Sequence, residues 1–262
     1  MTMVTAILTH LPADDVHERL SFTRRLAPEA RFVIVHTGTG REFARIEGVE
    51  KVQIDDPTLR GPVQYLQSLT TTLEALWTDV IEPDPQVDSL YLIEYDHLIL
   101  RADFEDRLAR LAAQTGADLM GKNCADRTAT NDEHYIRFRR DRTLLDHLAR
   151  LSVRDDPTRL YGCLGDGIWF SRRAVQAYVE VDEHPPCYCE TYVPTVLFHL
   201  GMEVVDIDAH SDLYHGVRWT PVFDNREALD RCRAGAVFLH PVKDLRTLRI
   251  LEREALPAGE PV

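Results

Sequence analysis

The sequence has no apolar run that approaches the roughly 18 consecutive residues a membrane-spanning helix needs. Its N-terminus carries no basic segment ahead of an apolar one, so we expect no signal peptide. Cysteine is scarce, with five residues in all. An odd, scattered set without a secretion signal predicts reduced thiols in a cytoplasmic protein. Because Cys187-x-Cys189 has no second thiol or histidine pair at zinc spacing, we do not expect a structural zinc site.

Positive charge is scarce as well. The chain has 30 lysines and arginines against 43 aspartates and glutamates, a formal net charge of -13, and a pI near 5.3. This balance argues against a surface for nucleic acid or anionic membranes. It leaves a phosphate ligand open, because a bound divalent cation inverts the local field. With 262 residues and a hydrophobic fraction of 44%, the chain is long enough to bury the core of a globular protein.

The alternation of apolar runs and helical patterns predicts an α/β fold. Short apolar runs at residues 4–8, 32–35, 49–54 and 90–93 are separated by segments with helical periodicity. Such an order is typical of a mostly parallel central sheet flanked by helices on both faces, a Rossmann-like arrangement. No internal repeat, proline- or serine-rich linker or block of charge divides the chain, so we expect a single domain.

Two shorter patterns carry local predictions. Residues 135–139 alternate in side-chain character, which predicts a strand. Gly38-Thr39-Gly40 follows the second apolar run, with no third glycine and no convincing helix behind it. We therefore interpret it as a tight turn rather than as part of a dinucleotide-binding fingerprint.

The most informative stretch is the apolar run at residues 90–93 and the polar residues that follow it. The run is apolar on both faces, which suits the centre of a covered sheet. Glu94 and Asp96 come next, two residues apart, so in an extended backbone both carboxylates point the same way. Convergent carboxylates at the end of such a strand are ligands for Mg²⁺ or Mn²⁺. The alternative is a polar turn after a core strand.

A second informative stretch is rich in glycine. Gly162, Gly165 and Gly167 precede an aromatic run, and Ser171 is placed to cap a helix at residues 172–180. Glycines at such a position let the backbone approach a ligand closely. A bulge or a turn into a hairpin would explain the glycines equally well.

These motifs and two later ones occur in an order that resembles the nucleotide-sugar-dependent glycosyltransferases of the GT-A fold, within the nucleotide-diphospho-sugar transferase superfamily. The matching segments, over roughly residues 4–245, are Glu94-Tyr95-Asp96, Gly165-Asp166-Gly167 with Ser171-Arg172, Glu190 with Leu200-Gly201, and His240 with Lys243. The resemblance implies a GT-A-like single domain over residues 1–262. Its nucleotide-binding half would extend to about residue 120, its acceptor and sugar half would cover about 121–255, and residues 256–262 would be a frayed tail.

The resemblance also implies a role for each matching residue. A divalent metal, Mn²⁺ or Mg²⁺, would be held by Asp96, His240 and Glu94, where Glu94 departs from the more usual aspartate. Lys243 would meet the phosphates, and Gly165, Asp166 and Gly167 would line the sugar and acceptor site. Glu190 and Asp166 would be the catalytic residues, with Glu190 matching the base of inverting members. The residues near the nucleotide would be Thr9, His10, Asp55 and Arg60.

The implied reaction is transfer of a sugar from a UDP-linked donor to a hydroxyl of a small-molecule or glycan acceptor. Trp219, beside His215, is either a rim aromatic or a platform for that acceptor. Two other functions stay open. A nucleotidyltransferase is less favoured, because Thr9-His10-Leu11-Pro12 lacks the glycines and the basic residue usual after the first strand of that class. A non-catalytic GT-A-like module that binds nucleotide sugars is the other alternative.

Overall fold

The computed structural model describes residues 2–54, 68–185 and 187–254. Its strands are β1 (Thr2–Thr9), β2 (Arg31–His36), β3 (Glu50–Gln53), β4 (Val87–Glu94), β5 (Leu98–Ile99), β6 (Leu119–Gly121), β7 (Ala125–Asp126), β8 (Tyr161–Gly162), β9 (Ile168–Ser171), β10 (Val204–Asp206) and β11 (Phe238–Leu239). Its α-helices are α1 (Ala13–Leu26), α2 (Gly40–Arg45), α3 (Ser68–Leu76), α4 (Phe104–Thr115), α5 (Glu133–Ile136), α6 (Arg142–Leu151), α7 (Arg172–Val179), α8 (Cys189–His199), α9 (Asn225–Arg233) and α10 (Leu245–Glu254).

Seven of these strands form one mixed sheet in the order β10-β6-β9-β4-β1-β2-β3. Strand β9 is antiparallel to its two neighbours, and the other adjacent pairs are parallel. The predicted α/β class with a mostly parallel central sheet is therefore confirmed. Strand β4 lies in the middle, which explains why its sequence is apolar on both faces.

Helices cover both faces of the sheet, as predicted. Leu90 and Leu92 of β4 pack into a core shared with α3, α7 and α8. Tyr91 and Ile93, which point the opposite way along the same strand, pack into a second core with Leu20 of α1 and with α4. The sheet thus separates two apolar layers and leaves its carboxyl edge open to solvent.

Two strand pairings bring distant segments to that open edge. Because β9 runs antiparallel to β4, with Ile168 opposite Leu92, the glycine-rich loop ahead of β9 lies beside the carboxyl end of β4. Strand β11 pairs with β5, with Leu239 opposite Leu98, so the segment that follows β11 lies against the loop that follows β4. Three parts of the chain that are far apart in sequence therefore meet at one place.

Two local predictions are wrong. Residues 135–139 are not a strand, because Tyr135 and Phe138 are the buried positions and their spacing of three is helical; they belong to α5 and to a short 3-10 turn at Phe138–Arg140. A helix does follow the Gly38–Gly40 segment, since the Thr39 hydroxyl accepts the Glu42 N–H and caps α2. By contrast, Ser171 caps α7 as predicted, because its hydroxyl accepts the Ala174 N–H.

Several predictions fall outside the described residues. These are the nucleotide-side residues Asp55 and Arg60 and the tail at 256–262. None of the helices that the structure describes is long and apolar enough to cross a membrane. The five cysteines all lie in the described ranges, and none forms a disulfide.

Candidate active site

A cavity of about 720 Å³ opens at the carboxyl edge of the sheet. Nine of the residues to which the resemblance assigns a role line it: Thr9, His10, Glu94, Asp96, Gly165, Asp166, Glu190, His240 and Lys243. Its volume lies in the range of small-molecule and cofactor sites. The parallel pairing of β1 and β4 places their carboxyl ends on the same edge, which is where ligands bind in open α/β sheets.

Glu94, Asp96 and His240 form a cluster on the floor of this cavity. Each offers one ligand atom, and these atoms lie within 4.8 Å of one another. The backbone ties the two contributing segments together, since the Val242 N–H donates to the Asp96 carbonyl oxygen at 2.8 Å. Asp96 and His240 are buried, with relative exposures of 1% and 5%.

The donor atoms of this cluster are arranged as a metal would require. The Nδ1–H of His240 donates to the Arg218 carbonyl oxygen at 2.9 Å, which leaves Nε2 as the nitrogen that faces Asp96 at 3.5 Å. That distance is too long for a strong hydrogen bond, and Asp96 Oδ1 is buried without a hydrogen-bond partner among the described residues. Orientation of a ligating imidazole by a backbone carbonyl is the usual support of a metal ligand. The residues present therefore fit a divalent cation.

The pKa values of Glu94 and His240 are shifted in the directions that crowding of charged groups produces. Burial, reinforced by the charges of Asp166 and Asp96, raises the pKa of Glu94 to about 8. Burial alone would lower the pKa of His240, but the carboxylates of Asp166 and Asp96 outweigh it and raise that pKa to about 9. Lys243 adds a positive charge at the rim, with Nζ 3.9 Å from Asp96 Oδ2.

Asp166 joins the glycine-rich loop to the loop that follows β4. Its Oδ1 accepts the Glu94 N–H at 2.6 Å, and its Oδ2 lies 2.5 Å from Nδ1 of His97. Burial opposes ionisation of Asp166, but the charges of His97 and His240 and these hydrogen bonds together lower its pKa. Both oxygens are thus engaged with protein groups, so a positioning role suits Asp166 better than direct proton transfer.

Behind Asp166 lies a buried chain of hydrogen bonds whose donors can be counted. The Tyr214 hydroxyl is 2.5 Å from the Gly167 carbonyl oxygen, which can only accept, so Tyr214 donates there. The Tyr91 hydroxyl must then donate to Tyr214 across 3.0 Å, and it accepts from Nε2–H of His97 at 3.0 Å. Both ring nitrogens of His97 are thus engaged, Nε2 with Tyr91 and Nδ1 with Asp166, and the charge of His97 helps to lower the pKa of Asp166.

Gly167 belongs to this support rather than to the cavity wall. Its φ of +69° favours glycine, and a Cβ there would lie 3.0 Å from His97 Cε1 and 3.1 Å from the Tyr214 hydroxyl. Gly165 does line the cavity, and a Cβ at that position would come within 3.1 Å of Glu190. The glycines predicted to admit a ligand therefore also permit close packing of these carboxylates and aromatic rings.

Glu190 stands at the first turn of α8, on the cavity wall formed with the glycine-rich loop. Its Oε1 accepts the Gly165 N–H at 2.8 Å, and its backbone carbonyl accepts the Cys163 N–H. Burial raises the pKa of Glu190, although hydrogen bonds from Gly165 and Tyr188 act in the other direction. The Glu190 carboxylate is thus held in place and faces the cavity, but it is not part of the cluster of Glu94, Asp96 and His240.

Arg19 is a contributor that the sequence reasoning missed. Its guanidinium donates to the carbonyl oxygens of Tyr95 at 3.2 Å, Val242 at 3.1 Å and Lys243 at 2.6 Å. It thereby fastens the two loops that carry Asp96 and His240. The signal was present in the sequence, because Arg19 lies three residues after Val16 on the buried face of α1 and is itself only 7% exposed. A charged side chain in an apolar stripe needs buried partners.

Thr9 is the last residue of β1, and His10 follows it. Thr9 is buried, and its hydroxyl accepts the Leu11 N–H at 3.2 Å. His10 is exposed, and its ring meets the Tyr95 ring edge to face with centroids 5.2 Å apart. Both line the cavity, and their predicted contact with a nucleotide remains a prediction.

No protein-family model matches the chain, and no curated protein matches it. Two solved structures match part of the chain at low similarity. S. aureus TarS 1-349 has 10% sequence identity and a TM-score of 0.41, over 78% of this chain and 58% of that one. The mannosyltransferase PcManGT from Pyrobaculum calidifontis, in complex with GDP-Man and Mn²⁺, has 11% identity and a TM-score of 0.44, over 78% of this chain and 54% of that one. The chain thus spans little more than half the length of either protein. A likeness of this extent assigns no activity, so the function of the cavity must rest on its own geometry.

Proposed function

We propose that this protein is a metal-dependent glycosyltransferase that transfers a sugar from a nucleotide diphosphate sugar to a hydroxyl acceptor. A UDP-linked donor is the first choice. The observation that carries the proposal is that one cavity contains both a cluster suited to bind a metal and a separate carboxylate suited to act as a base. Glu94, Asp96 and His240 hold their ligand atoms within 4.8 Å of one another, and the carboxylate of Glu190 faces the same space.

The donor set favours Mn²⁺ over Mg²⁺. Carboxylate oxygens suit both ions, but the imidazole of His240 is a nitrogen ligand, which Mg²⁺ accepts less readily. A divalent ion in this position would act as a Lewis acid that stabilises the negative charge of a diphosphate leaving group. Lys243, whose side chain is 57% exposed beside Asp96, is free to turn towards the phosphates and add a second positive charge.

Glu190 is the group we assign to proton transfer. As the acceptor hydroxyl forms its bond to the sugar carbon and the bond to the diphosphate breaks, the hydroxyl proton passes to the Glu190 carboxylate. The raised pKa of Glu190 makes it a stronger base than an ordinary glutamate. The Gly165 N–H fixes one of its oxygens, so the carboxylate is oriented before the acceptor arrives.

The proposal is tested by thermal-shift measurements with a panel of nucleotide sugars, with and without Mn²⁺. A donor at 100 times its Kd stabilises the folded state by about 2.7 kcal/mol, which corresponds to a rise in Tm of about 5–10 °C for a protein of this size. We expect that rise for one nucleotide series and only when Mn²⁺ is present. Slow Mn²⁺-dependent hydrolysis of the same donor is the accompanying activity.

The variant Asp96→Asn should lose the Mn²⁺-dependent shift, because it removes a charged ligand from the cluster. Asp88→Asn is the matched control, since Asp88 is an exposed aspartate at the other end of the same strand. If Asp96→Asn binds Mn²⁺ and the donor as well as wild type does, the proposal is wrong. Tight Mn²⁺-dependent binding with no hydrolysis and no transfer would instead indicate a binding module.

A further inference from the structure

The rim of the cavity carries apolar surface that the proposed chemistry does not use. Among the described residues, the large apolar side chains that are strongly exposed are Val153 at 71%, Trp219 at 65% and Val222 at 46%. Trp219 and Val222 both line the cavity that contains Asp96 and Glu190. An exposed tryptophan has a large apolar surface that folding leaves unburied, and at a cavity rim this marks a binding surface.

The turn that presents Trp219 is anchored rather than loose. Arg218 pairs with both carboxylate oxygens of Glu227 at 2.7 Å, and its Nε–H donates to the Pro221 carbonyl oxygen at 2.7 Å. Its guanidinium also lies over the Phe223 ring, 3.8 Å from the centroid. The side chain of Arg218 therefore spans the turn and holds its two ends together.

The same turn is joined to the segment that carries His240. The Arg218 N–H donates to the His240 carbonyl oxygen at 3.0 Å, and the Phe223 N–H donates to the Pro241 carbonyl oxygen at 3.0 Å. The indole of Trp219 is thus presented on a preorganised turn beside the metal-ligand segment. A preorganised aromatic surface loses little entropy when a flat ligand lies on it.

We infer that Trp219 and Val222 form the platform for the acceptor, and that the acceptor is a neutral sugar ring. The inference rests on the proposed function and specifies its second substrate. The metal-binding cluster lies on the buried floor, so the donor diphosphate occupies the inner part of the cavity and the acceptor the outer rim. The carboxylate of Glu190, which faces the same cavity outside the metal-binding cluster, disfavours an anionic acceptor, whereas the apolar face of a pyranose ring matches an indole and its hydroxyls reach the polar walls.

The test uses the indole Nε1–H signals of the folded, full-length protein in ¹⁵N NMR spectra. Three tryptophans are present, and the signal lost in Trp219→Phe identifies Trp219. Methyl pyranosides of glucose, galactose, mannose and N-acetylglucosamine are titrated at millimolar concentrations, with the open-chain polyol sorbitol as the ringless control. We expect a saturable shift of the Trp219 signal with at least one pyranoside and none with sorbitol.

Substitutions supply the quantitative check. Trp219→Ala should weaken binding of that pyranoside about tenfold, as expected for loss of one aromatic stacking contact. The Kd is measured from backbone amide signals at the rim. Val222→Ala should weaken binding about threefold, whereas Val153→Ala, which changes a more exposed valine that does not line the cavity, should leave it unchanged.

Two results would overturn the inference. One is a Trp219 signal that no pyranoside moves. The other is a signal that moves only with Mn²⁺ and a nucleotide sugar, since the platform would then belong to the donor. Because this readout requires no turnover, it is independent of the proposed function: a protein that binds pyranosides on Trp219 but gives no Mn²⁺-dependent response to any nucleotide sugar contradicts the glycosyltransferase proposal and leaves the platform standing.

Discussion

Replacing Asp166 by asparagine removes the link between the glycine-rich loop and the loop that carries the metal ligands. Two donors converge on this carboxylate, the Glu94 N–H at 2.6 Å and Nδ1–H of His97 at 2.5 Å. Asparagine has one acceptor oxygen, so one donor would face an NH₂ group. An unsatisfied buried donor costs about 1–3 kcal/mol, and leaving the charge of His97 without its partner adds to that cost. We expect the free energy of unfolding to fall by about 3–5 kcal/mol.

The same variant should weaken Mn²⁺ binding, although Asp166 is not proposed as a ligand. The Glu94 N–H belongs to one proposed ligand, and His97 directly follows the other, Asp96. Without Asp166 to hold these two groups, the positions of the ligand atoms become less fixed. Loss of such an outer contact typically lowers metal affinity about 10- to 100-fold. Urea denaturation measures the stability, and the EPR signal of free Mn²⁺ measures the affinity.

Asp118→Asn separates a general loss of stability from a local effect on the site. Asp118 is also buried, and it accepts hydrogen bonds from Ser171, Arg173 and the Glu203 N–H, but it does not line the cavity. This control should lower stability by about 1–3 kcal/mol and leave Mn²⁺ affinity unchanged. The reasoning is refuted if Asp166→Asn stays within about 0.5 kcal/mol of wild type, or if both variants change Mn²⁺ affinity equally.

Two further predictions concern groups outside the ligand cluster. Arg19→Met should lower stability by about 3 kcal/mol and reduce Mn²⁺ affinity, because three carbonyl oxygens lose a charged donor. Arg24 is an exposed arginine of the same helix with one such contact. As the control, Arg24→Met should change neither stability nor Mn²⁺ affinity measurably in the same assays. Burial, with a smaller contribution from the charge of His147, lowers the pKa of His184 from 6.5 to about 4. Between pH 6.5 and pH 4 the unfolded chain therefore binds more protons than the folded chain. The stability that depends on a neutral His184 is complete above pH 6.5 and is lost as the pH falls towards 4. Urea curves should show wild type losing about 1 kcal/mol more than His184→Phe between pH 7 and 5, after a discount for partial exposure; equal losses would contradict the assignment.

The sequence was informative wherever a property depends on near neighbours. The apolar run at residues 90–93 occupies the middle of the sheet. Glu94 and Asp96 line one cavity as expected, but Asp96 lies in a turn after β4 and not on an extended strand. Helix caps such as Ser171 were visible for the same reason, because a cap bonds to a residue three positions away. The strand predicted at 135–139 failed because the alternation in so short a segment did not show which of its side chains are buried, and the buried ones have helical spacing.

The sequence could not show which distant residues share a wall. The hydrogen bond between Asp166 and Glu94 depends on the antiparallel register of β9 against β4, and the approach of His240 to Asp96 depends on the pairing of β11 with β5. Register is set by packing of the whole sheet, so nothing local to residue 166 or 240 specifies it. The burial of Arg19 could be expected from its place in an apolar stripe, but its partners could not, since they are carbonyl oxygens of two loops far from it in sequence.

The charge of the assembled floor is the feature that the linear sequence conceals most completely. Glu94, Asp96 and Asp166 come together with Glu190 on the adjoining wall, and His97 is already committed to Asp166. His240 and the half-exposed Lys243 are left to balance the remainder. Burial of unbalanced carboxylates is costly unless a cation compensates them, and the raised pKa of Glu94, about 8, records that cost. A divalent cation would remove the imbalance, so the same crowding of buried carboxylates that costs folding free energy favours metal binding.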